Sequence, residues 1–553
     1  MLRLSLLPIV LIPSIAFAQT IPSSEEAGRI EQRFALPSTP QSQAPSPRFV
    51  LRSTEAPANA AQVRLNVRQV LVEGSTVYDA ADFTDLTSTV VGQVSLQQIY
   101  DLAAKLTAQY GNDGYVLSRV IVPPQSLDPG GATIRLKVIE GYIDQVRWPA
   151  GIEGYRDLFS SYGAKITAAR PINIKTIERY LLLAGDLPGL DFKSTMEPSK
   201  TNTGASTLVV EMTEKKLDAS ASVDNRGTEG RGPYQYTLTG TANNVLKQHE
   251  ALSVTYAGSF EFEELQYVSG TYSQVLNSEG LTFSFSGSYS AGEPGTSALQ
   301  AIQFETESIA FQGGLAFPVI RTRERNLTVS ALAFMKNSFS DSLGSRLSED
   351  RLRGLRVGGS FDQYDQFKGV TQFSGTFSQG IEGLGSTKNS NSLASRSAGR
   401  VDFTKFEGSI ARYQSLPKGF SLVARIDGQY ALTPLLSAEE FTYGGSNYGR
   451  AFDSSVLAGD HGIKLSAELR YDPQIPNNPF SKTQLYSFVD YGAVWRRKPA
   501  TGTAKHDQAS SAGAGICLGF KDHLTASLEG SHRLSGTVGD DDWQAYFSLT
   551  ASY

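Results

Sequence analysis

A single cysteine, Cys517, stands in 553 residues, so no disulfide can close within the chain and no thiolate cluster can hold a metal. It reads as a small apolar residue on a strand. Long apolar runs are scarce as well. Beyond the extreme N-terminus no run reaches the ~18 apolar residues a spanning helix needs, and a mean hydropathy of −0.22 is too polar for a helical membrane bundle. Neither sign of charge prevails: 50 Lys+Arg against 55 Asp+Glu leave a net −5, without the basic footprint of a nucleic-acid binder. Catalytic signatures are missing too, with no Gly-x-Ser-x-Gly elbow, no His-Glu-x-x-His and no phosphate loop. Three acid–histidine neighbours, Asp460-His461, His506-Asp507 and Asp522-His523, invite a barrel-hydrolase reading. Neighbours on a strand point to opposite faces, however, so adjacency is not catalytic geometry. The five histidines read as polar loop residues. The expectation is a non-enzyme with no cofactor and no metal.

What is abundant is Gly (52), Tyr (24) and Phe (28), which suits many turns and the aromatic girdles of a membrane barrel. Such a barrel escapes the hydropathy test because its strands alternate apolar and polar residues. After Lys216 that alternation takes over. Leu217, Ala219, Ala221 and Val223 alternate with Asp218, Ser220, Ser222 and Asp224, and Leu465, Ala467, Leu469 and Tyr471 with Lys464, Ser466, Glu468 and Arg470. It continues through Trp543, Ala545, Phe547, Leu549 and Ala551 to Tyr553. A soluble sandwich shows the same period. The recurrence of one small polar face over residues 217–553, and an aromatic inside the last strand, favour a transmembrane antiparallel β-barrel. At roughly 20 residues per strand with its connection, that length supplies about 16 strands. A barrel so wide encloses a lumen unless something plugs it.

Upstream the chain is mixed. Residues 1–18 read as a signal peptide, with Arg3 at the positive end, an apolar stretch over residues 4–15, and Ala16-Phe17-Ala18 as the cleavage site. Residues 22–36 read as a short helix with a Ser23/Glu26 capping box and an Ala27, Ile30, Phe34 stripe, followed by a Pro-rich linker to residue 62. Residues 63–140 read as strand, helix, helix, strand, strand. The first helix runs from Asp79 through Val90, and the second opens on a Ser95/Gln98 capping box and carries Leu96, Ile99, Ala103, Leu106 and Tyr110. Strands are expected over residues 116–122 and 132–139. Residues 141–214 repeat that order, with Asn173 capping a helix, so the two units form an internal repeat ahead of a barrel at 215–553.

Several of these segments resemble the two-partner secretion transporters, the haemolysin and filamentous-haemagglutinin exporters. They are Tyr110-Gly111-Asn112-Asp113-Gly114-Tyr115, Val120-Ile121-Val122-Pro123-Pro124-Gln125, Val138-Ile139-Glu140-Gly141-Tyr142-Ile143, Leu187-Pro188-Gly189 and Asp224-Asn225-Arg226-Gly227. The resemblance covers essentially the whole chain beyond the signal peptide. It implies two small α+β POTRA (polypeptide-transport-associated) domains in the periplasm, a 16-stranded outer-membrane barrel and a plug helix at residues 22–36. It also implies a long loop folded into the lumen, carrying a Val-Arg-Gly-aromatic motif. Here that motif stands as Gly449-Arg450-Ala451-Phe452, preceded by Gly444-Gly445, and keeps the arginine and the aromatic. Its partner motif Phe-x-Asp-x-Gly is intact as Phe488, Asp490 and Gly492. Alternation places Asp490 on the lumen-facing side, read as opposite Phe488, where a carboxylate can hold the Arg450 guanidinium in a fork that lysine cannot form.

The implied function is export of an unfolded partner through a gated pore without nucleotide. The partner would be a large secreted β-helical protein (adhesin, haemolysin or contact toxin), and the barrel a lipid-embedded monomer that binds no nucleic acid. An insertase of the same superfamily is the alternative, although such proteins carry more than two docking domains. A passive porin would leave both docking domains unexplained.

Overall fold

The computed structural model describes residues 21–34, 39–43, 55–128, 130–151, 153–202, 204–521, 523–536 and 542–553. The expected signal peptide and most of the Pro-rich linker lie outside them.

The alternating segments after residue 216 form sixteen antiparallel strands that close on themselves. The first, Leu217–Asp224, pairs with both Gln235–Asn243 and the last, Trp543–Ser552. Closure gives each of the sixteen strands two neighbours and leaves no open sheet edge, as lipid demands of a spanning sheet. Leu469, Val489, Phe285, Phe311 and Phe406 stand exposed on the outer face. Aromatic rings gather at both ends, as membrane girdles do. At the end nearer the N-terminal domains Phe420 stacks on Tyr471 at 4.6 Å and Phe480 meets Phe520 at 4.8 Å. At the far end Tyr430 stacks on His461 at 4.6 Å, Trp495 meets His506 at 5.0 Å and His532 stacks on Trp543 at 4.5 Å. Those three histidines therefore sit in strands, against the expectation of loops. Nor do the acid–histidine neighbours pair: Asp460 serves Arg396 and Asp507 serves Arg496, while Asp522 lies outside the described residues.

Residues 64–139 build a four-stranded sheet in the spatial order Gly92–Ser95, Arg64–Glu73, Ala132–Ile139, Arg119–Ile121. Helix Leu96–Asn112 opens on the Ser95/Gln98 capping box and packs Ile99, Leu102, Leu106 and Tyr110 onto Val67, Ile134, Leu136 and Val138. Two details depart from expectation. The edge strand Gly92–Ser95 is additional, and the helix foreseen from Asp79 to Val90 shrinks to a 3₁₀ turn Ala80–Phe83 and helix Thr84–Ser88. The Thr87 and Thr89 hydroxyls there donate to the carbonyls of Phe83 and Leu86, a local competition that disfavours longer helix.

The second unit has three strands in the order Tyr142–Arg147, Ala205–Glu214, Leu190–Pro198, the arrangement of the first sheet without its extra edge. Asn173 caps helix Ile174–Gly185 by accepting from the Lys175 amide at 3.0 Å. This unit sits on the barrel turns, where Arg321 grips Asp186 with hydrogen bonds of 2.7 and 2.6 Å and Arg179 reaches Glu279 at 3.0 Å.

Residues 21–34 lie inside the barrel, broken into 3₁₀ turns Ser23–Glu25 and Ala27–Arg29 and helix Ile30–Arg33 rather than one helix. The Ser23/Glu26 capping box does not form, because Glu26 is extended at φ −62°, ψ 127°. Contacts with the wall outweigh helical propensity. Glu25 pairs with Arg231 at 2.7 Å, Glu31 with Lys336 at 3.2 Å, and Phe34 stacks on Tyr267 at 4.4 Å.

Candidate functional site

Residues 432–460 leave the barrel end far from the N-terminal domains and fold back inside it. A small hairpin, Phe441–Tyr443 with Leu457–Gly459, carries the tip inward. Gly444, Gly445 and Gly449 adopt φ of +114°, +103° and +69°, which side chains resist. The tip closes on itself, with the Gly445 amide donating to Phe452 O at 3.1 Å and the Phe452 amide to Gly449 O at 2.8 Å. A Cβ at Gly449 would lie 2.6 Å from the Tyr443 ring, so glycine here, where the family motif reads valine, fits this loop.

Arg450 is almost wholly buried and is the centre of the site. Its Nε donates to Asp490 Oδ2 at 3.1 Å and its Nη2 to Asp490 Oδ1 at 3.3 Å, a two-pronged fork. The Gly449 and Arg450 amides donate to the same Oδ2 at 3.1 and 3.2 Å. Nη1 bonds Glu468 and stands 3.9 Å from Glu529, while Nη2 also donates to Ser466 at 3.2 Å. Beneath the guanidinium lies the Phe488 ring, its centroid 3.4 Å from Cζ. Phe488 therefore shares the lumenal face with Asp490, contrary to the sequence reading. Residues two apart on a strand point the same way, so Phe488, Asp490 and Gly492 act together. A Cβ at Gly492 would lie 2.2 Å from the Tyr443 ring, so the glycine makes room for the hairpin.

The charges balance. Glu468 is shared with Arg470 at 2.6 Å and Glu529 with Arg226 at 2.9 Å, so three arginines face three acids. The arrangement offers no nucleophile–base pair; it fastens a loop to a wall.

A family model described as haemolysin secretion/activation protein ShlB/FhaC/HecB matches residues 204–520, and one for the ShlB-type POTRA domain matches residues 65–141. The chain belongs to the ShlB/FhaC/HecB family. It is a two-partner secretion transporter of the outer membrane. Among its relatives is the heme/hemopexin transporter protein HuxB of Haemophilus influenzae, 23% identical over 85% of this chain and 83% of HuxB. Another is the outer membrane transporter CdiB-2 of Burkholderia pseudomallei, 23% identical over 75% of this chain and 70% of that protein. In fold it resembles CdiB from Escherichia coli, with a TM-score of 0.74 at 18% identity and 95% of each chain covered.

The transporter also holds partners that sequence reasoning did not single out. The Ser531 hydroxyl donates to Arg450 O at 3.2 Å and Arg533 Nε to Ala451 O at 3.0 Å, with the Arg533 guanidinium over the Phe452 ring. Glu468 and Ser466 were legible as inward members of an alternating strand. A second clamp grips the loop's base: Arg396 donates to Asp460 at 2.7 and 3.0 Å and to Leu435 O at 2.6 Å. Arg396 also pairs with Glu440 at 2.9 Å, and Glu440 bonds Arg29 of the N-terminal segment inside the barrel. Residues 21–34 are thus tied to the loop by buried charges, and Thr442 adds a bond to Gln32 at 2.8 Å.

Proposed function

We propose that this transporter captures an unfolded partner on its two N-terminal domains in the periplasm and exports it through a lumen closed at rest by residues 21–34 and 432–460. The observation that carries the reading is the double occupancy of the lumen by segments fastened through buried ion pairs: Glu25–Arg231 and Arg29–Glu440 for one, Arg450–Asp490 for the other. A passive pore has no use for such fastenings, whereas a gate needs contacts that hold and can be exchanged.

Capture follows from the sheets. The Leu190–Pro198 strand is an edge with most of its residues exposed, and Arg119–Ile121 is one of the two edges of the other sheet. An extended substrate adds to such edges through backbone hydrogen bonds, which give affinity with modest sequence demands. The relatives named as hemolysin transporters, from Serratia marcescens and Proteus mirabilis, suggest a secreted exoprotein as cargo. A large β-helical protein that folds outside would supply directionality. The barrel works as a monomer without cofactor or catalysis.

Co-expression with a large secreted β-helical exoprotein as candidate cargo tests the reading. Export should require the transporter and should fail when the exposed edge of 190–198 is blocked by Ser194→Pro, which removes an amide donor facing away from Ala205–Glu214. Undiminished export by that variant, with the barrel assembled, refutes capture at that edge.

A further inference from the structure

We infer that the rim around residues 495–505 binds the phosphate-bearing headgroup of the glycolipid in the outer leaflet. This rests on the reading above, in which residues 63–214 face the periplasm and the opposite end of the barrel faces outward.

A cavity of about 740 Å³ opens at that end between the segments around residues 400, 432 and 497. Arg400, Arg496, Arg497, Lys498 and Lys505 line it. Two carboxylates neutralise part of this set: Asp402 takes Arg400 at 2.8 and 2.6 Å, and Asp507 takes Arg496 at 2.6 Å. Arg497, Lys498 and Lys505 have no carboxylate within ion-pair distance among the described residues. The surplus is therefore three positive charges in one concavity.

The place is as telling as the charge. Trp495 is partly exposed on the outer face, and its register partners His461 and His506 stand at the same height on the neighbouring strands. Leu432 and Tyr430 are exposed beside them. The cations thus begin one residue beyond the aromatic girdle, where headgroups replace acyl chains. Arg497 is also partly organised in advance. Its amide donates to Asp460 at 2.6 Å and its Nη1 to Ala431 O at 3.2 Å, which holds the guanidinium at the cavity wall. Guanidinium forks match phosphate oxygens bidentately, ammonium groups add point charge, and Trp495 and Leu432 meet the acyl chains below. A free anion would use the cations alone; a phosphorylated lipid uses both halves of the site.

Native mass spectrometry of the full chain in detergent tests this with three probes: bis-phosphorylated lipid A, its monophosphoryl form, and inorganic phosphate as competitor. Bis-phosphorylated lipid A should stay bound, the monophosphoryl form more weakly, and millimolar phosphate should not displace it. Arg497→Gln with Lys505→Gln should weaken retention about tenfold or more, while Lys482→Gln with Lys521→Gln, exposed at the opposite end, should leave it unchanged. Equal retention by both double variants, or displacement by phosphate alone, overturns the proposal. Protease accessibility of residues 496–505 in intact cells separates the two readings. An accessible loop without lipid binding refutes this site alone, and an inaccessible loop refutes the orientation and the site together.

Discussion

Removing the Arg450 guanidinium leaves Asp490, which has no exposed surface, and the nearly buried Glu468 without their shared cation. Breaking a buried pair from one side costs about 3–5 kcal/mol because a desolvated charge stays behind. The ring contact with Phe488 is lost in the same step. At about 1.4 kcal/mol per tenfold, Arg450→Ala shifts the balance between docked and released loop by about a hundredfold to a few thousandfold. The two amide bonds from Gly449 and Arg450 to Asp490 remain and oppose part of that shift. The expected phenotype is a barrel that still inserts but whose lumenal loop is loose. In planar bilayers it should show larger and noisier conductance, and export of the exoprotein should fall by an order of magnitude. Arg450→Lys should lie between, since lysine keeps the charge and loses the fork. Heat-modifiable mobility on gels checks that the barrel has assembled. Wild-type conductance and export from an assembled Arg450→Ala barrel would refute the clamp.

Gly492→Ala places a Cβ where the Tyr443 ring stands, so the hairpin should be pushed off the wall at about 1–3 kcal/mol, and Tyr443→Ala in the same chain should restore protease resistance of residues 441–459. Arg29→Ala breaks the buried pair with Glu440 and should raise open-channel events without loss of assembled barrel, measured as single-channel conductance. Arg396→Gln should free the loop's base from Asp460 and Glu440 together, so it should loosen the plug about as much as Arg29→Ala although it touches no plug residue. In the second domain the Asp144 carboxyl is held below the usual carboxylate range, first by the Ser199 hydroxyl and then by Asn202 and Thr207. A depressed pKa contributes stability that is full above the unfolded value of about 3.9 and fades as pH falls through the folded value. The denaturation midpoint followed by Trp148 fluorescence should therefore drop as pH falls below about 4, and Asp144→Asn should remove that dependence.

The barrel was legible because its signal is local: dyad alternation states the face of each residue and, by length, the strand number. The Ser95/Gln98 box was legible for the same reason. The four-residue strand Gly92–Ser95 is too short to show a period, and its pairing with Arg64–Glu73 is tertiary. The plug misled through propensity, since Glu25, Arg29 and Glu31 answer to wall and loop charges up to 411 positions away. The Arg450–Asp490 pair is legible through a motif, yet its surroundings are not: Glu529, Ser531 and Arg533 come from a strand two places along the wall, and only closure of the barrel brings Arg226 to Glu529. Phe488 lies beside Asp490 on the lumenal face, where the two-residue period puts it, and not opposite. Arg396 and Asp460, 64 positions apart, left no local trace at all.

On the proposed route the partner passes through this lumen once residues 21–34 and 432–460 give way. Photo-crosslinkers at the lumen-facing Thr271 and Ser409, and at the outward-facing Val489 and Leu469, test it in cells exporting the exoprotein. Crosslinks to the exoprotein are expected from Thr271 and Ser409 only, during active export. Export that proceeds with no crosslink from those two positions, or with crosslinks from Val489 and Leu469 instead, would contradict it.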